Sequence, residues 1–148
     1  MIGVIQLIGS FVGAIGFSLI FGLHGKQILL AGVGSACTWG CYLLVCFFGC
    51  DAHLAVFFSS VFGSFFSEFL AKLLRVPKTV FLFSVLISLV PGSNLYLAMR
   101  YAIAKDAELA MANGIETLTV SLGISLGIIV MLVFTQLHTW IKNRKVVR

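Results

Sequence analysis

The sequence predicts an all-α integral membrane protein with five transmembrane helices, the fourth broken near Pro91-Gly92. Three observations carry that prediction. The chain is 60% hydrophobic and only 10% charged over 148 residues, with a mean hydropathy of +1.12, a composition of spanning helices. Its charged residues cluster at the ends of five long apolar segments. Its one deep interruption, Val90-Pro91-Gly92-Ser93-Asn94, falls inside an apolar segment.

The segments follow in order within one membrane domain, residues 1–148. The first, about residues 2–23, ends at His24-Gly25-Lys26. It has no basic leader and no small-residue cleavage site before His24, so a processed signal peptide is not expected. The second, about residues 28–49, ends at Cys50-Asp51. The third, 54–74, ends at Arg75-Val76-Pro77-Lys78, and the fourth is 79–103. Residues 105–113 read as an external connection, and the fifth segment covers about 115–137 before a basic tail, 138–148. Each segment is long enough to cross a core of about 30 Å at 1.5 Å per residue.

The net charge of +5 does not point to nucleic acid. Five spans place Lys26, Lys72, Arg75, Lys78, Lys142, Arg144, Lys145 and Arg148 on one side, and only Arg100 and Lys105 on the other. The positive-inside rule then puts the N-terminus outside and the C-terminus in the cytoplasm.

The four cysteines, Cys37, Cys41, Cys46 and Cys50, lie on one span. The two pairs point to opposite sides of a helix at 100° per residue, so they cannot converge on one ion. They read as small buried side chains, and neither a metal site nor a disulfide framework is expected. Gly9 with Gly13, and Gly123 with Gly127, make two small faces for close helix contact, read first as intramolecular packing and second as a face for self-association. The phenylalanines of the third span read as lipid-facing or core bulk.

Proline removes a backbone donor and clashes with the carbonyl one turn back. In hydrocarbon, backbone groups freed this way are tolerated where protein or a water-filled cavity satisfies them. A helix broken near the midplane is therefore a candidate site for a small polar or anionic solute. Pro91, Gly92, Ser93 and Asn94 form it, with free N–H groups and a positive dipole end for a carboxylate. Ser93 or Asn94 can cap the second half-helix. Ser121, in a stripe with Thr117 and Ser125, is a candidate lining residue. The other reading of the break is a packing kink.

Ser60, Ser64, Ser67 and Glu68 share one face of the third span. Glu68 is a candidate coupling carboxylate, because a submerged charge is costly to keep. The other reading is a structural pair with Lys72, four residues on. Glu116 is the second candidate, near the outer end of the fifth span. No catalytic, metal or cofactor motif occurs: the three histidines lie at segment ends, and there is no phosphate loop, nucleophile elbow or H-E-x-x-H. No enzyme is predicted.

The run Leu89-Val90-Pro91-Gly92-Ser93-Asn94-Leu95-Tyr96-Leu97-Ala98-Met99, in an all-membrane chain of this size, resembles the threonine/serine exporter family. It is similar to the small split subunit, the counterpart of the C-terminal membrane half of full-length exporters. Relatives often carry a further proline where this chain has Ser88. The resemblance implies a multi-pass protein of the bacterial inner membrane working with a larger homologous membrane subunit. It also implies gradient-driven export of threonine, serine or small carboxylic acids, with no cofactor. The alternative of another class is a non-transporting accessory or assembly protein.

Overall fold

The computed structural model describes residues 2–146. They form six α-helices: α1 (Ile2–Ile20), α2 (Lys26–Phe47), α3 (Ala52–Leu74), α4 (Lys78–Leu86), α5 (Gly92–Ile103) and α6 (Ala107–Val146). A 3-10 turn, Ile87–Leu89, extends α4, and no strand occurs among the described residues. Four helices are long and apolar enough to cross a membrane, and α4 with α5 makes a fifth if taken as one span bent by 63°.

Short left-handed turns end the helices. After α1, Gly22 takes φ 73° while Leu23 N–H donates to Ser18 O at 2.9 Å and Gly22 N–H to Leu19 O at 3.1 Å. This pair of bonds satisfies carbonyls at the helix end. Gly49 closes α2 in the same way, at φ 84°. Arg75 and Lys105 adopt the same hand, φ 55° and 61°, although neither is a glycine.

The bundle runs α1, α2, α3, α6 through neighbouring contacts, with α4 lying against α1, α2 and α3. Its apolar core, at the end where α1 stops and α4 starts, is built from Leu23, Ala31, Leu70, Ala71, Phe81 and Val85. The pattern on α3 is inside-out relative to a soluble helix. Ser59, Ser60, Gly63, Ser64, Ser67 and Glu68 are buried, while Phe58, Phe62, Phe65 and Phe69 are exposed. Lipid tails are as apolar as Phe, so the aromatic face gains little by turning inward. Close packing between small side chains drives the helices together instead. A Cβ on Gly63 would stand 2.8 Å from Thr38 Oγ1 and 2.7 Å from Leu86 Cδ2, and helices meet that closely only at glycine.

The two glycine pairs behave differently. A Cβ on Gly127 would collide with Ser60 Oγ and reach 3.0 Å from Phe57 O, so α6 lies directly on α3 there. Gly9 and Gly13 meet nothing within 4 Å, which corrects the expectation of close packing on α1. Cys37 and Cys50 are exposed and Cys41 and Cys46 partly so, and the expected burial of the cysteines is corrected accordingly.

Residues 105–113 are not a loop. α6 begins at Ala107 and runs unbroken through Gly114 for 40 residues. Asp106 Oδ1 accepts Leu109 N–H at 3.2 Å, an N-cap, and Glu108 places an acidic group in the first turn, where the helix dipole favours it. The helix continues into the expected tail, and the side chains from residue 142 onward lie outside the described residues.

Candidate functional site

The break has a defined backbone. The 3-10 turn ends at Leu89, Val90 is extended, and Pro91 sits at φ −77°, ψ 56°. Those angles make an inverse γ-turn, closed by Gly92 N–H donating to Val90 O at 2.8 Å. α5 then starts with Leu95 N–H donating to Pro91 O at 3.1 Å. Between these two bonds the N–H groups of Ser93 and Asn94 have no backbone acceptor among the described residues. They are the orphan donors of a helix start, with its positive dipole end. Proline itself occupies the capping position, and neither Ser93 nor Asn94 makes a side-chain cap there. The capping expected of them is therefore absent.

The surroundings of the break are open. No residue of α5 is buried, Ser93 is exposed, and a Cβ on Gly92 would meet nothing within 4 Å. The helix packs chiefly on α6. On the α4 side, Ile87 and Ser88 border a cavity of about 320 Å³ shared with Gln6, Gly9, Ser10, Gly13, Phe17 and Trp39. The open face of Gly9 and Gly13 thus belongs to the hollow beside the break. Ser121 does not offer a free hydroxyl: its Oγ donates to Thr117 O at 2.7 Å. Thr117 and Ser125 likewise bond carbonyls one turn back.

Glu68 lies elsewhere, at the α3–α4–α6 junction. Its side chain is 10% exposed. Oε1 accepts from Lys72 Nζ at 3.0 Å and from Lys78 Nζ at 2.9 Å. Oε2 lies 2.5 Å from Thr135 Oγ1, whose single proton is shared between this carboxylate and Met131 O, 2.8 Å away. The Lys72 partner follows from i,i+4 spacing. Lys78 and Thr135 do not, because the α3–α4 turn and the antiparallel α6 bring them in. At the other end of α3, Glu116 Oε2 stands 3.8 Å from His53 Nε2. Glu68 and Glu116 are thus at opposite ends of the α3–α6 pair, and neither touches the break. No group of three or more metal-ligating side chains occurs among the described residues.

A family model described as "Threonine/Serine exporter, ThrE" matches residues 6–134. The matched span includes the break, Glu68 and Glu116. Comparison with curated proteins and with solved structures gives no match.

Proposed function

The chain belongs to the threonine/serine exporter family, and from that premise we propose that it is the small membrane subunit of a two-component secondary exporter of the bacterial inner membrane. Its solute is threonine, serine or a small carboxylic acid, and its N-terminus lies outside. The observation that carries the site assignment is the pair of unpaired N–H groups at Ser93 and Asn94, presented by a helix bent through 63°. A carboxylate there would accept both hydrogen bonds and sit at a positive dipole end. Gly92 adds no side chain to obstruct it.

The exposure of α5 supports the two-subunit reading. Backbone donors free of partners are tolerated within a membrane when other protein covers them, and this chain leaves that face uncovered. The larger subunit supplies the missing wall, and Glu68 and Glu116 are the coupling carboxylates on the two sides. Proteoliposomes containing this chain and its larger partner should accumulate labelled threonine or serine against a gradient, whereas either subunit alone should not. Equal uptake by the larger subunit alone would reduce this chain to an accessory protein.

A further inference from the structure

We propose that the cavity between α3, α4 and the middle of α6 binds the carboxylate of a small solute, held by the Lys78 ammonium and the hydroxyls of Ser64 and Ser67. The cavity measures about 270 Å³ and is lined by those three residues, Glu68, Thr79 and an apolar wall that includes Leu82 and Met131. None of Pro91 to Asn94 lines it, so it is a second station, separate from the break.

The first argument is hydrogen bonding. Ser64 and Ser67 are 4% and 1% exposed, and their hydroxyls have no partner. Ser60, Ser84 and Thr38 donate to a carbonyl of the preceding turn. Ser18, Ser35, Ser59 and Ser88 also lack a partner among the described residues; of the unpartnered serines, Ser64 and Ser67 are the two that line this cavity. Buried polar groups normally find a partner, so two neighbouring exceptions on one cavity wall call for one. A ligand oxygen that accepts from both supplies it.

The second argument is charge. Two ammoniums stand within 3.0 Å of the same carboxylate oxygen of Glu68, and the other oxygen is taken by Thr135. One negative charge faces two positive ones, leaving a net positive charge at the mouth of the cavity, where both lysine side chains are more than half exposed. Lys78 has three donors and uses one on Glu68. The ligand that matches this set is an anion with two adjacent acceptor oxygens, and charge-assisted bonds make it hold. The size, below the 300–1,000 Å³ of pockets for drug-sized ligands, restricts it to a small solute whose aliphatic part meets Leu82 and Met131.

Binding is measured without flux, so the outcome is independent of the exporter reading. The full chain in phosphatidylcholine nanodiscs is titrated with radiolabelled butyrate, a carboxylate with an aliphatic remainder. Saturable binding is expected, weakened about tenfold or more by Lys78→Gln and by the Ser64→Ala/Ser67→Ala pair. Glu68→Gln should tighten it several-fold, because both ammoniums lose their competing carboxylate. Ethanolamine and inorganic phosphate should not displace it. Each Ser→Ala change removes one oxygen only, so the test survives if Lys78→Gln misfolds. Absence of saturable binding, parental affinity in the double serine variant, or displacement by ethanolamine or phosphate as effective as by unlabelled butyrate would overturn the proposal.

Discussion

At the scale of single residues, the contrast between Gly123 and Gly127 is the most direct test of how α6 is held. A Cβ at Gly123 would find its nearest neighbour at 3.6 Å, an ordinary contact, whereas at Gly127 it would collide with Ser60. Gly127→Ala should therefore destabilise the protein by about 1–3 kcal/mol through overpacking. Gly123→Ala should be neutral or slightly stabilising, since alanine favours a helix. Thermal unfolding of both variants in one detergent decides it. Glu68 gives a second test. Lys72 is more than half exposed, so Lys72→Met should cost no more than about 1 kcal/mol. Glu68→Gln should abolish gradient-driven export while the protein still inserts, and normal export by that variant would leave Glu68 a purely structural partner.

At the scale of elements, the decisive feature is the bend before α5. Pro91→Ala with Gly92→Ala lets α4 continue into α5 and bonds the Ser93 and Asn94 N–H groups internally. The double variant should be at least as stable as the parent, because alanine outranks glycine and proline in a helix by about 1 and 3 kcal/mol. Its flux should fall to background. Parental flux in a stable double variant would make the break a packing kink. The existence of the break was legible in four consecutive residues, and the apolar segments were legible in their composition. The start of α6 was also written in the sequence, as Asp106 followed by Glu108, but charge in a short polar stretch read as a loop. Lys78 and Thr135 were not legible as partners of Glu68. They arrive from 10 and 67 residues away, through a turn geometry and a helix register that periodicity does not encode. The openness of Gly9 and Gly13 was hidden for the same reason: a small face reports that approach is allowed, not that a neighbour is there.

At the scale of the whole molecule, the proposed orientation rests on the eight-to-two distribution of basic residues. In a Cys-free background, Asp106→Cys should react with an impermeant thiol reagent in intact cells, and Lys26→Cys only after the membrane is opened. The reverse pattern would invert the protein. One further consequence lies in α6. Its 40 residues make a rod of about 60 Å, twice the hydrocarbon thickness of about 30 Å, and Gly127 clamps it to α3 close to its midpoint. Such a rod would act as a lever about that contact once its flanking contacts with α3, Glu116–His53 and Thr135–Glu68, yield. A turn of about 10° at Gly127 carries Ala107 sideways by about 5 Å over the twenty intervening residues, and α5, anchored chiefly to α6, travels with it. Spin-label distances between α5 and α1 should therefore change when solute binds, while those between α5 and the first turns of α6 stay fixed. Rigid distances in both pairs would mean that the rod does not swing.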